Sequence, residues 1–377
     1  MIAQGTCTAP VQESTATLAK GAGSNVRRVA LIALLILIVV ILAGTALLWR
    51  AGELRTLAPH FAGRCTLLPM AANATDVRVD ANHKVAYLSY LDTRGTLAGK
   101  HTRGTVMLLD LTAAEPHLRA ALVADPPDFR PRALSLYAPP KDAQRLFVIS
   151  GARPGEYSVE IFQQTETGAF AATETIRDPL LVSPNAIFAV GPRQFYIADD
   201  AGTTLGAARI AELLVSGGKS QILYFDGAKL HPVATGLSRA TGLAGTADGQ
   251  TLYASDAGAQ QLQIYARNPA TGALRSRAVV TLGSAPGRIN VDAQGNLWIA
   301  AHPQALTLLR HERTGSGRAP TQVLKLTPGA GAPGRVSEVY LNRGDELSAG
   351  NVAAVFNARL LVAALAQRQL LLCQLPR

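Results

Sequence analysis

Six polar side chains stand at comparable points of this sequence, each where an alternating apolar strand begins. They are one carboxylate, two amides, one hydroxyl and two guanidinium groups, at Asp76, Arg132, Asn185, Thr241, Arg288 and Asn351. Arg288 is the most unusual, because it places a permanent charge where the stretch "APGRINVDAQGNLWIAAHP" enters an apolar strand. If these side chains converge, two guanidinium groups beside one acid suit an anionic ligand such as a carboxylate or a phosphate.

A short phrase recurs six times and predicts the element that would bring these side chains together. Its copies are "VAYLSY" (85–90), "RLFVISG" (145–151), "QFYIADD" (194–200), "TLYASDA" (251–257), "NLWIAAH" (296–302) and "RLLVAAL" (359–365). Each copy follows a turn and an alternating strand, and most precede a further strand. Spacings of about 45–63 residues fit four short strands each. The pattern predicts an all-β fold, a six-bladed β-propeller; a pair of β-sandwiches is the alternative, and it predicts no sixfold repeat.

In a propeller, equivalent positions of the blades face the same point. We therefore expect the six polar residues to form a ligand-binding ring at one mouth of the central channel. The alternative is that residues at strand entries are polar simply because the loops before them are solvated.

Two further segments stand outside the repeated phrase. Past residue 60, only "LGAARIAELLVS" (205–216) predicts a short helix. The Gly/Pro-rich piece "TPGAGAPGR" (327–335) predicts a flexible connection between blades five and six.

The N-terminal region contains an uncharged apolar segment of 21 residues, 29–49, long enough to cross a bilayer as a helix. Lys20, Arg27 and Arg28 precede it, so the positive-inside rule predicts a cytoplasmic tail, 1–28, and a single-pass anchor, 29–49, in the inner membrane. A linker, 50–64, and an exported propeller, 65–377, would follow. A cleaved signal peptide is the competing interpretation of the same segment.

The charge distribution limits which partners are expected, and the cysteines indicate the redox state of the compartment. The net charge is +10, but the basic residues are scattered, with no run beyond Arg27-Arg28, so nucleic acid is not expected as a partner. Cys7 would be cytoplasmic and free. Cys65 and Cys373 stand near the two ends of the propeller, which ring closure brings together, so a disulfide is predicted in an oxidising compartment; two unpaired buried thiols are the alternative.

From about Cys65 to Cys373 the chain resembles the paraoxonase/arylesterase family, calcium-dependent six-bladed propeller hydrolases of esters and lactones. The resemblance lies in "NAIFAVGPRQFYIADD", "GNLWIAAHP" and "VAAVFNARLLVAALAQRQLLLCQL", together with the terminal cysteine pair and the N-terminal apolar segment. The strand phrases alone are also similar to gluconolactonase-like and strictosidine-synthase-like propellers.

The resemblance implies a catalytic calcium at the channel mouth. Asp76 matches the family's first-blade acid, one methylene shorter, and Asn185 matches the amide before "IFAVGP". Thr241 replaces a further asparagine, and Gly287-Arg288 replaces an acid followed by an asparagine. If calcium is retained, its ligands would be Asp76, Asn185 and Thr241. Repulsion of about 6–7 kcal/mol between a divalent ion and a guanidinium group ~5 Å away, at an effective dielectric constant of ~20, predicts weak or absent binding, and no other cofactor is expected.

Two other features of the family are altered. The acids of a second, structural calcium correspond to Val77 and Ala186, and the proton-handling histidine pair corresponds to Arg132 and Gly151. His302 does match a histidine of the family's pocket wall; a polar residue in a surface loop is an equal alternative. We therefore expect Arg288 to occupy the space of the lost cation, pairing with Asp76 and donating to Asn185.

Two functions follow from these residues. The first is a membrane-anchored arylesterase- or lactonase-type hydrolase of small esters or lactones, with Asp76 and His302 as candidate catalytic residues. The alternative is a non-catalytic propeller that binds an anionic small molecule or a protein partner at the channel mouth.

Overall fold

The computed structural model describes residues 16–151, 155–200, 218–314, 317–329 and 332–376, and the chain divides into two compact units, Met1–Arg50 and Ala51–Arg377. In the first unit, helix α1 (Ala16–Arg50) contains a stretch, Arg27–Arg50, that is long and apolar enough to cross a membrane. The apolar side chains of this stretch are exposed to the surroundings.

The second unit consists of six four-stranded antiparallel sheets. Sheet one contains β2 (Asn73–Asp80), β3 (Val85–Leu91), β4 (Thr105–Asp110) and β5 (Leu118–Ala120). Sheet two contains β6 (Pro131–Tyr137), β7 (Arg145–Ser150), β8 (Ser158–Gln164) and β9 (Phe170–Ile176). Sheet three contains β10 (Pro184–Ala189), β11 (Phe195–Asp199), β12 (Ser220–Phe225) and β13 (Leu230–Leu237).

The remaining sheets follow the same order. Sheet four contains β14 (Ala240–Gly245), β15 (Thr251–Asp256), β16 (Gln261–Arg267) and β17 (Leu274–Thr281). Sheet five contains β18 (Ala285–Val291), β19 (Leu297–His302), β20 (Thr321–Gly329) and β21 (Ala332–Asn342). Sheet six contains β22 (Gly350–Phe356), β23 (Arg359–Ala364), β24 (Gln369–Gln374) and, from the other end of the domain, β1 (Arg64–Pro69).

The first strand of each sheet contacts the first strands of both neighbouring sheets, from β2 round to β22 and back to β2. The six-bladed propeller is therefore confirmed, and the six phrases are the second strands of its blades. The core has the same symmetry, because each of six apolar clusters lies between two adjacent blades. Between blades two and three, for example, the rings of Phe147 and Phe195 lie 5.7 Å apart.

Ring closure depends on β1, which pairs with β24 as the outermost strand of blade six. The register places Cys65 directly opposite Cys373, and the two form the predicted disulfide across 308 residues of sequence. Closure by a strand from the other end ties the last blade to the segment that leads into the first blade.

Every first strand carries a bulge near its start, where its pairing with the second strand shifts. A bulge turns the extra residue out of the regular ladder and changes the direction of its backbone groups. The residues at the bulges are Thr75 and Asp76, Arg132, Asn185, Thr241, Gly287 and Arg288, and Asn351. The six residues singled out in the sequence thus share a backbone irregularity as well as a position.

The segment expected as a linker, 50–64, lies largely within the folded propeller unit. Glu53 Oε1 accepts hydrogen bonds from Leu306 N at 2.8 Å and Thr307 N at 3.0 Å, and His60 forms a bridge with Leu341. Glu53 thereby caps the first turn of α3 (Ala305–Thr314).

Helix content differs in part from the expectation. Helices α2 (Thr93–Leu97) and α3 were not predicted; only Leu308 and His311 of α3 are buried, too few to produce a helical period in the sequence. The helix predicted at 205–216 lies outside the described residues. The prediction for 327–335 was wrong, because this segment spans the end of β20 and the start of β21 within blade five.

In two blades an aspartate at the end of the second strand supports the loop before the first strand. Asp199 accepts from Val182 N and Ser183 N, and Asp256 accepts from Ser238 N and Arg239 N. His302 holds this position in blade five. It is 5% exposed, and within the described chain its Nδ1 has no hydrogen-bond partner.

Burial lowers the pKa of His302 from 6.5 to about 4, which makes folding stability depend on pH. The unfolded chain takes up a proton at this residue as the pH falls through 6.5, whereas the folded chain does so only near 4. The free energy of unfolding therefore decreases as the pH falls from about 6.5 to about 4. We expect His302→Gln to remove this loss, worth about 3 kcal/mol in total. Denaturant unfolding at several pH values measures the difference from the wild type. The exposed His117→Gln serves as a control, and parallel pH profiles of wild type and His302→Gln would contradict the assignment.

The disulfide makes a second prediction. Cross-linking a loop of 308 residues restricts the unfolded chain, so Cys65→Ser/Cys373→Ser should lose about 5 kcal/mol of unfolding free energy, an upper figure from the chain-entropy model. A reducing agent should lower the melting temperature of the wild type and leave that of the double variant unchanged. Equal sensitivity of both proteins to reduction would contradict a stabilising role for the bond.

Candidate functional site

The bulges of all six blades meet at a cavity of about 340 Å³ at one mouth of the channel. Five of the six residues expected there line it, namely Arg132, Asn185, Thr241, Arg288 and Asn351. In blade one the lining residue is Thr75, and Asp76 lies beneath the surface of the cavity at 0% exposure. The volume falls within the range of small-molecule sites.

Arg288 reaches from blade five across the channel to three other blades. Its Nε donates to Thr75 O at 2.9 Å, its Nη1 to Asn185 O at 2.5 Å and its Nη2 to Arg132 O at 3.0 Å. The expected contact with Asn185 is thus made with the backbone carbonyl, whereas the amide of that side chain donates to Ala240 O. Arg288 is 6% exposed, and burial lowers its pKa to about 10, so it remains charged near neutral pH.

Asp76 is enclosed by positive and donor groups. Its Oδ2 lies 3.4 Å from Arg288 Nη1 and 3.4 Å from Arg78 Nη2, and it accepts from Leu134 N at 2.8 Å. Its Oδ1 accepts from Val77 N. The expected pairing of Asp76 with Arg288 is present, but the carboxylate has no surface in the cavity from which to activate a water molecule.

Arg78 forms a second layer across the channel that was not expected from the sequence. It donates to Leu134 O and to Ile289 O, both at 2.7 Å, and Asn290 donates to Val77 O and Ala353 O. The signal was available, because Arg78 follows Asp76 by two residues and Asn290 follows Arg288 by two. In a strand, such residues face the same side.

The neutral ring residues are also committed to backbone carbonyls. Thr241 Oγ1 donates to Pro286 O at 2.7 Å, and Asn351 Nδ2 donates to Thr75 O at 2.9 Å. With Asn185, these contacts join neighbouring blades at the mouth of the cavity.

The residues at this mouth do not fit calcium. A calcium ion takes about six to eight oxygen ligands and depends on carboxylates for affinity, whereas Asp76 supplies one carboxylate. The carbonyls of Thr75, Arg132 and Asn185 already accept from a guanidinium group that would repel the ion. Over the described ranges, no three His, Cys, Asp or Glu side chains are grouped as a metal site.

Arg132 is the ring residue whose charge faces the cavity without an acid beside it. Its Nη1 donates to Tyr157 OH at 3.0 Å, and its guanidinium lies 5.5 Å from the centre of that ring. In the part of the chain that the structure describes, no carboxylate lies within ion-pair distance of Arg132. Stacking on Tyr157 holds the guanidinium group in place while leaving its charge for a ligand.

Another wall of the cavity comes from blades three and four and from α3. Arg239 Nη2 donates to both oxygens of Glu312, at 3.1 and 3.2 Å, and Arg239 Nε lies 3.8 Å from Asp200 Oδ2. His311 is 2% exposed, its Nδ1 lies 3.0 Å from Gly317 O, and its Nε2 has no hydrogen-bond partner among the described residues. Glu312 and His311 were missed because α3 was not predicted.

His302 does not line the cavity. It lies beneath this wall, where Glu312, Arg239 and His311 influence its charge, and its pKa of about 4 keeps it neutral. Of the two candidate catalytic residues from the sequence, neither Asp76 nor His302 has a place on the cavity surface.

Comparisons with solved structures agree with the architecture. A luciferin-regenerating enzyme matches with a TM-score of 0.50 and 12% identity, over 82% of this chain and 95% of that one. A putative gluconolactonase matches with a TM-score of 0.50 and 15% identity, over 85% and 96%. At these identities the likeness concerns the fold alone.

Comparisons of sequence are more specific. Serum paraoxonase/arylesterase 1 of Rattus norvegicus is 27% identical over 331 residues, 85% of this chain and 92% of the relative. Serum paraoxonase/lactonase 3 of Homo sapiens is 26% identical over 264 residues, 69% and 73%. The model of the family described as Arylesterase matches residues 70–375, from just before β2 to just after β24. Since that match takes in every blade, the chain belongs to the arylesterase family.

Proposed function

We propose that the propeller binds a small carboxylate-bearing molecule, such as the acid that hydrolysis of an ester or lactone releases, in the cavity at the channel mouth; the names of its relatives, arylesterase and lactonase, indicate this class of compound. Arg132 carries this proposal. Its guanidinium group faces a cavity of small-molecule size, and within the described residues no carboxylate neutralises it. A ligand carboxylate supplies the missing partner.

The rest of the lining can orient such a ligand. Thr75, Thr93, Thr96 and Thr241 supply hydroxyl oxygens that can accept hydrogen bonds from a ligand, and the Arg239–Glu312 pair forms another part of the lining. A cavity with a cation and an ion pair at different points of its lining favours a polar molecule in one orientation.

Hydrolysis of an ester or lactone is the second candidate function, favoured by His311. Donation from Nδ1 to Gly317 O leaves Nε2 as a proton acceptor, the tautomer that a general base requires. His311 would take a proton from a water molecule admitted beside its buried Nε2, as the water oxygen attacks the carbonyl carbon. Arg132 would stabilise the oxyanion, and breaking the ester bond yields a carboxylate and an alcohol.

The location is also a proposal. We infer that α1 anchors the chain in the inner membrane, with the propeller exported; a cleaved signal sequence would export it too. The length and composition of α1 support either, and the Cys65–Cys373 disulfide is of the kind that persists in oxidising compartments.

Binding can be tested with phenylacetate as the carboxylate and phenylacetamide as its neutral counterpart. We expect calorimetric binding of phenylacetate only, weakened about 10- to 100-fold by Arg132→Gln, because a charge-assisted contact is lost. Arg130→Gln is the matched control, since Arg130 pairs with Glu156 and does not line this cavity. Equal binding of the acid and the amide, or equal losses in both variants, would contradict the anion site.

Hydrolysis can be tested with phenyl acetate in the presence of EDTA. If the second candidate is right, turnover persists in EDTA, and His311→Gln lowers kcat/KM by roughly 100-fold or more. The variant His117→Gln, at an exposed histidine, should leave kcat/KM in EDTA unchanged. Turnover no faster than in buffer, with phenylacetate still bound, would leave binding as the function and exclude hydrolysis of this substrate.

A further inference from the structure

Arg288 is the point at which four blades meet. Its side chain begins in blade five, donates to carbonyls of blades one, two and three, and forms an ion pair with Asp76 of blade one. These contacts lie on the channel axis, where the six first strands approach one another.

The bulges explain why a cation is needed there. They direct the carbonyl oxygens of Thr75, Arg132 and Asn185 towards one another, away from the sheet ladders. Converging carbonyl dipoles repel, and buried carbonyls without donors are costly. One group that offers several donors and a positive charge resolves both problems.

A guanidinium group matches this arrangement better than an ammonium group. Its N–H groups lie in one plane and point in fixed directions, so three separate carbonyls can be satisfied at once. The remaining charge is balanced by Asp76, which is itself held by Arg78 and Leu134 N.

We propose that the Arg288 guanidinium is a built-in structural cation, which holds blades one, two, three and five together where the family resemblance places a calcium ion, and which frees the fold from dependence on a bound ion. A covalently attached cation is present at full occupancy at any calcium concentration, and a chelator cannot remove it.

The test is thermal unfolding of the whole chain in detergent, with millimolar calcium or with EDTA. The wild type should melt at the same temperature in both. In EDTA, Arg288→Asn should melt roughly 5–10 °C below the wild type, because Asp76 and three carbonyls lose their shared partner. Millimolar calcium should restore part of that loss, since the variant leaves room and an added oxygen beside the same acceptors.

Arg267→Asn is the matched control. Arg267 also donates to two groups and stacks on Tyr196, but it lies in β16, away from the axis. Calcium should not raise its melting temperature. A lower wild-type melting temperature in EDTA would overturn the proposal, and so would an Arg288→Asn variant that melts like the wild type. A calcium response equal in the two variants, or absent from both, would overturn the assignment of the cation position. If Arg288→Asn does not fold, the wild-type comparison decides.

Discussion

The buried guanidinium group of Arg288 needs an acceptor for its donors on every side, and this requirement constrains the centre of the propeller. Taking a guanidinium group out of water is expensive, and Arg288 recovers that cost only through the three carbonyls and the carboxylate around it. These acceptors come from three different blades, so all of the blades concerned must be correctly placed before the charge is satisfied. The interaction therefore couples strands that are far apart in the sequence.

The same bulges that supply the acceptors also shape the cavity. Where a regular strand would continue the ladder, the extra residue turns a side chain towards the channel mouth and a carbonyl towards the axis. Below this level Arg78 and Asn290 close the channel. Like Arg288, they have side chains that donate to backbone carbonyls of other blades. The cavity is consequently floored by polar contacts, and its opening lies on one side.

The alternation of apolar residues and the sixfold phrase were sufficient to predict the propeller, because each blade depends mainly on local hairpins. The ring was predictable from the same repeat, since equivalent positions converge once the blades are known. What alternation could not show is which atoms the ring contacts. The expected partner of Arg288 was the amide of Asn185, and the actual partner is its carbonyl, exposed by a bulge that leaves no mark on residue type. Helix α3 was not predicted for a related reason. It is stabilised by the cap from Glu53 and by two buried residues, and these contacts leave no helical period in the sequence.

We propose different roles for two arginines of the ring, Arg288 and Arg132, because their side chains have different partners. Arg288 points its donors into a closed set of acceptors, so little of its hydrogen-bonding capacity remains for a ligand. Arg132 stacks on Tyr157 and uses one donor on the phenol oxygen, which fixes its position without neutralising it. A charge that is satisfied by the fold stabilises the fold, whereas a charge that is positioned but unpaired is available to recognise something else. By that criterion, residue type alone could not separate the arginine that we propose as structural from the one that we propose for binding, and the separation follows from burial and from the acceptors within reach.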